Sequence, residues 1–244
     1  SERRSNLAHK VLDDSAIIVA SASVKSRISD TDYAYRQDSN FYYLSGYEEP
    51  ESLILIRPNH DNEKFIIFCR DRDPLREQWD GFRTGQEGAI SEYGADASYS
   101  INSVDQLMPE LLKGSKNIYF SMSSPCGIDS KINHWIEDIR KNMRGGAEPP
   151  ENLLSLDSIL HEMRLIKEDH ELDIMKHAAD ITTEAHIRAM QAVTPGMFEY
   201  QLEAEYLYAF NKNGARSPAY TSSVGGGNNS CILHYVENNA ELKD

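Results

Sequence analysis

The chain has 244 residues, 40% of them hydrophobic and 26% charged, with a formal net charge of −14. That balance is ordinary for a globular protein, and the acidity argues against a nucleic-acid surface, which needs clustered Lys and Arg. No apolar run approaches the ~18 residues of a membrane span, and the start of the chain lacks a signal peptide's apolar core, so an acidic cytoplasmic protein with no membrane partner is expected.

In chain order, residues 1–12 predict a short helix. Ala16 to Ala20 is a compact apolar run and predicts a buried strand. Residues 21–40 read as polar and irregular. Phe41–Leu44, Ser52–Ile56 and Lys64–Cys69 are strand candidates separated by short Gly-, Pro-, Asn- and Asp-bearing turns, so neighbours are expected to be antiparallel. Leu53 to Ile56 is apolar on both faces, which suits a strand covered on both sides. Helices are predicted at Pro74–Trp79, Gln86–Tyr93 and Ser103–Lys113, the last with a serine cap and Gly114 at its end. A strand follows at Ile118–Phe120. A helix over Asp129–Met143 places Ile132, Trp135, Ile136 and Ile139 on one face. Glycines and prolines from Gly145 to Pro150 mark a linker. The reading is one mixed-sheet α/β domain over residues 1–147, a linker and connecting helix over 148–167, and the start of a second domain over 168–244. That second part, with helices over 169–193 and 197–213, holds about 77 residues, near the size at which a lone core becomes marginal.

The segment 214–244 predicts a strand at Tyr220–Val224, a turn at Gly225–Asn229 and a buried strand at Cys231–Val236 with His234 set into it. The cysteines, Cys69, Cys126 and Cys231, are far apart, and two lie in apolar runs, so core thiols are expected. No C-x-x-C, H-E-x-x-H, G-x-S-x-G or phosphate-loop pattern is present.

Several segments carry a family likeness. Tyr35-Arg36-Gln37-Asp38-Ser39-Asn40-Phe41-Tyr42-Tyr43-Leu44-Ser45-Gly46, Leu160-His161-Glu162-Met163-Arg164-Leu165-Ile166-Lys167 and Pro195-Gly196-Met197-Phe198-Glu199-Tyr200 are three of them. Val224-Gly225-Gly226-Gly227 with Asn229, and Cys231-Ile232-Leu233-His234-Tyr235 with Glu237-Asn238, complete the series. Together they resemble the bacterial-type aminopeptidase P (Xaa-Pro aminopeptidase) family of pita-bread metallopeptidases. The resemblance implies an α/β (α+β) fold, with an amino-terminal creatinase/prolidase-like mixed-sheet domain followed by the incomplete first part of a pita-bread catalytic domain. It also implies two divalent ions, manganese or similar, held by two Asp, one His and two Glu. All five would fall beyond Asp244, so the expectation is a fragment with no metal ligands of its own, inactive by itself.

Site residues follow from the same likeness. His234, which from its sequence alone reads as a core histidine, is implied to hydrogen-bond the substrate and steady a tetrahedral intermediate. Leu233 would line the pocket for the first substrate residue. Trp79, in Arg76-Glu77-Gln78-Trp79-Asp80-Gly81, would reach a neighbouring subunit's site and face a proline ring; the other reading is a partly buried helix tryptophan. Arg144 is placed near the substrate's far end, where it would meet a carboxylate, or else it is a surface arginine. Tyr220 would support a metal ligand through its hydroxyl, or be a packed tyrosine. The implied partners are peptides with proline in second position and further copies of the chain. The alternatives are a non-catalytic pita-bread module that binds peptides, and a prolidase- or creatinase-type hydrolase.

Overall fold

The computed structural model describes residues 1–122, 127–142, 146 and 148–244. They form two compact units, Ser1–Leu165 and Ile166–Asp244. No helix among the described residues is long and apolar enough to cross a membrane.

The first unit is built on a mixed sheet whose strands are β1 (Ser15–Ala20), β4 (Leu53–Ile56), β5 (Phe65–Cys69), β6 (Ala97–Ser100), β7 (Asn117–Phe120) and β8 (Asn152–Ser155). Their order is β6-β5-β4-β1-β7-β8. β1 pairs antiparallel with β4, and β4 with β5, as the short turns predict. β7 runs parallel to β1, β8 parallel to β7, and β6 parallel to β5. Period-two alternation sorts the central strands cleanly between the two faces. Ile17, Val19, Ile54, Ile56, Phe65 and Ile67 join one core, with α1 (Glu2–Ala8), α2 (Ser39–Ser45), α4 (Gly85–Ser91) and α7 (Asp157–Leu165) supplying Leu7, Phe41, Ala89 and Leu160. Ala16, Ile18, Leu53, Leu55, Ile66 and Phe68 join the other, covered by α5 (Val104–Leu111) and α6 (Ile128–Lys141). Trp135 of α6 is fully buried there, and its indole N–H donates to Asp105 at 2.9 Å.

Four expectations change in this unit. Phe41–Leu44 is helical, not a strand. Asp38 accepts from the amides of Asn40 and Phe41, each at 2.9 Å, and Gly46 closes the turn with φ 70°, so capping overrides the β propensity of the aromatics. Residues 21–40 contain the antiparallel pair β2 (Ser26–Ile28) and β3 (Thr31–Asp32). β6 is an additional strand, polar and only half-buried. The expected linker supplies β8 and α7 to the first unit: Asn152 donates to Asn117 across the β7–β8 pair at 2.9 Å, and Leu156 and Leu160 enter the core. Cys69 is a buried core thiol, as expected; Cys126 lies outside the described residues.

The second unit is an antiparallel helix pair, α8 (Asp169–Ala192) and α9 (Glu199–Lys212), followed by an irregular segment. Arg188 of α8 holds Glu205 of α9 through two nitrogens, at 2.7 and 2.6 Å. The strands expected at Tyr220–Val224 and Cys231–Val236 do not form. Gly227–Cys231 is a 3-10 turn, and the neighbouring backbone folds back so closely that a Cβ on Gly225 would lie 2.9 Å from the Asn229 carbonyl carbon. Within 231–236 only Tyr235 is buried, so Cys231 and His234 are exposed rather than in a core. The physical reason is that an apolar run becomes a strand only where another strand takes up its backbone groups. The pairing in this unit lies elsewhere, as a bridge between Phe198 and Glu241.

Removing the α2 cap with Asp38→Ala is expected to cost about 1 kcal/mol. Trp135→Ala should cost about 3–5 kcal/mol through the cavity it leaves. Urea unfolding followed by circular dichroism measures both, and the order of the two midpoints is the check.

Candidate functional site: a loop fastened to the start of a helix

The second unit places its glycine-rich loop against the first turn of α9. Gly196, with φ 90°, turns the chain after α8, and its amide donates to the Leu242 carbonyl at 2.8 Å. The Leu242 amide donates back to Met197 at 2.7 Å, and the Glu199 amide to Ala240 at 2.9 Å. The end of the loop is thereby clipped beside the helix start. Glu199 then occupies the first helical position, where a carboxylate complements the helix dipole.

That carboxylate is wholly buried. Its Oε1 accepts from the Gly226 amide at 2.7 Å and from Asn229 Nδ2 at 3.1 Å. Its Oε2 accepts from the Tyr235 hydroxyl at 2.6 Å and from the Ala240 amide at 2.9 Å. Burial works against its ionisation, but the bonds from Gly226, Tyr235, Ala240 and Asn229 outweigh it and hold its pKa down at about 2. One turn on, Glu203 accepts from Asn238 Nδ2 at 3.0 Å. Asn238 is itself buried; it also donates to the Ser222 carbonyl and accepts from the Val224 amide, at 3.0 and 2.9 Å. Glu199 and Glu203, four apart on one helix face, therefore fix the loop from Ser222 to Ala240.

The expected site residues can be located on this frame. Leu233 is 91% exposed and His234 is exposed, both on the stretch preceding the inward-facing Tyr235. Tyr220 is 80% exposed. Trp79 belongs to the first unit, on α3 (Pro74–Asp80), and is 84% exposed. Asp73 caps α3 by accepting from the amides of Leu75 and Arg76, each at 3.1 Å, and Pro74 opens the helix. Arg72 grips Glu77 at 2.5 and 2.9 Å and covers the Phe82 ring at 3.9 Å. Arg144 lies outside the described residues. Leu233, His234 and Tyr220 share the second unit, and Trp79 stands on the first.

Sequence reasoning missed Glu199, Glu203 and Asn238. The available signal was a pair of glutamates four apart at a helix start, followed by a loop rich in Gly and Asn. Such a loop has few side chains of its own to satisfy its amides. Among the described residues, no group of three or more His, Cys, Asp or Glu is placed to hold a metal ion.

Comparison with known proteins identifies both halves. The family model described as aminopeptidase P, N-terminal domain, matches residues 1–119, and that of metallopeptidase family M24 matches residues 173–244. The Xaa-Pro aminopeptidase of Escherichia coli K12 is 37% identical over 243 residues, which are 99% of this chain and 55% of that protein. Human Xaa-Pro aminopeptidase 3 is 30% identical over 238 residues, covering 95% of this chain and 46% of its own length. Among solved structures, Pseudomonas aeruginosa aminopeptidase PepP superposes with a TM-score of 0.98 at 44% identity, over 100% of this chain and 55% of that one. The chain thus spans about half the length of the curated relatives it matches.

The low pKa of Glu199 has a defined consequence. A carboxyl whose folded value, about 2, lies below its unfolded value of about 4.3 stabilises the fold above the unfolded value, and that stabilisation is lost as pH falls through the folded one. Thermal melts between about pH 5 and 2 should show this loss in the wild-type chain, and Glu199→Gln should lack that part of the slope. At neutral pH the same substitution should destabilise by about 1–3 kcal/mol, because an amide group faces donors that need an acceptor.

Proposed function

The chain belongs to the aminopeptidase P family of M24 metallopeptidases, and from that membership we propose that the whole protein releases the first residue from peptides with proline in second position. The observation that carries this reading is the match of both family models, in order, by a chain whose relatives over nearly its full length include Xaa-Pro aminopeptidases. An Xaa-Pro bond is a tertiary amide without an N–H, so a peptidase acting on it must recognise the ring and the flanking carbonyls instead.

Exposed side chains on a fastened loop suit that task. In this reading His234 donates to the scissile carbonyl region and steadies the developing oxyanion. Leu233 bounds the pocket for the first substrate residue. Trp79, standing free on α3, offers its ring to a substrate proline held by another copy of the chain, so the working protein is a homo-oligomer. Arg144 meets the far end of the peptide, and the Tyr220 hydroxyl supports a ligand to the metal. The first unit mediates assembly and narrows access. The family's metal chemistry would be supplied by two divalent ions, taken to be manganese, acting in the cytoplasm. No step is assigned to those ions, and the 244-residue chain by itself is proposed to be inactive. A peptide-binding module without catalysis is the rival reading, and the two separate on turnover.

The test uses the whole protein and the 244-residue chain side by side, each with manganese and a chromogenic Xaa-Pro peptide. The whole protein should release the first residue, lose that activity to a chelator, and lose about 10²–10³-fold in kcat on His234→Ala. The 244-residue chain should show no turnover. Cleavage by the short chain would overturn its proposed inactivity, and a silent whole protein that still binds the peptide would favour the binding module.

A further inference from the structure

We propose that Glu199 is a positioning residue for the reaction: by holding the Gly226–Ala240 loop at both ends and at Tyr235, it sets where Leu233 and His234 stand. The inference rests on the reading of Leu233 and His234 as substrate contacts.

The loop from Gly225 to Glu241 has little regular structure beyond one 3-10 turn, so its shape must be set by bonds to something outside it. Glu199 supplies four such bonds from one carboxylate, to Gly226 and Asn229 before Leu233, and to Tyr235 and Ala240 after it. Tyr235 is the immediate neighbour of His234. Its hydroxyl is also within 3.1 Å of Asn229 Nδ2 and 3.4 Å of the Asn239 amide, so the buried phenol ties both arms of the loop together around the carboxylate. Tyr235 and Asn238 point inward and are buried, whereas Leu233 and His234 point outward and are exposed. His234, like Leu233, is exposed and takes no part in the unit's core. Its location is therefore inherited from its neighbour. An anion at this place can serve all four donors at once, whereas a glutamine would have to turn an N–H₂ towards two of them. Nothing about the role needs Glu199 to touch substrate.

Two variants test this. Glu199→Gln removes the charge, and Tyr235→Phe deletes a single oxygen while keeping the buried ring, which guards against a variant that fails to fold. In the isotopically labelled 244-residue chain, both should move or broaden the His234 imidazole resonance while those of His60 and His134, on the first unit, stay in place. Hydrogen-exchange protection of the Gly226 and Ala240 amides should fall by about tenfold or more in Glu199→Gln. In the whole protein, both variants should raise KM for an Xaa-Pro peptide and lower kcat. A merely structural role would reduce the amount of active enzyme and leave the KM of the remainder unchanged. An unmoved His234 with unchanged amide protection overturns the proposal and leaves the proposed activity standing. A displaced His234 with unchanged kinetics overturns it differently, because it shows that Leu233 and His234 are not where substrate binds.

Discussion

The second unit depends on one buried carboxylate. Glu199 sits at the first position of α9, out of contact with water, and four donors from the following loop converge on it. A charge in that position is tolerable only because every donor is aimed at it and the helix start adds its own positive end. The dependence runs both ways. Without the loop the carboxylate would be buried and unpaired, and without the carboxylate the loop amides would have no acceptor. The helix and the segment that follows it are therefore mutually required, although the rest of the helix and residues 213–225 separate Glu199 from Gly226.

The first unit rests on a different constraint. Its central strands are apolar on both faces, so neither face can meet water, and a helical layer must lie on each. The two cores are the outcome, sorted by the alternation of β1, β4 and β5. Trp79 belongs to neither core and stands exposed on a short helix. That helix is fixed by the Asp73 cap and the Arg72–Glu77 fork rather than by burial, since none of its residues is buried.

Legibility in the sequence followed the same division. Where burial decides the structure, apolar runs gave the elements correctly: Ala16–Ala20, Leu53–Ile56, Ile118–Phe120 and the Trp135 face of α6. Where a hydrogen bond decides, composition misled. Phe41–Leu44 reads as a strand until Asp38 is recognised as its cap, and the half-buried β6 and the more exposed β8 carry too little apolar signal to be seen. Residues 231–236 are the strongest case. Their apolar character predicts a buried strand, but what they do is set by Glu199, over thirty residues earlier, in a position where a glutamate reads as an ordinary favourable charge at a helix start. The candidate contacts Leu233, His234 and Trp79 were legible only through family likeness. The groups that hold them in place follow from geometry.

This inversion of the usual pattern also accounts for the exposed apolar side chains of the loop. In a folding core, apolar groups turn inward and polar ones outward. Between Gly226 and Ala240 the inward groups are Tyr235 and Asn238 with their polar ends bonded, while Ile232 and Leu233 face out. Hydrogen bonds to α9 fix the segment through its inward side chains instead of through burial of its apolar ones. The cost is a buried charge, and that cost falls on Glu199.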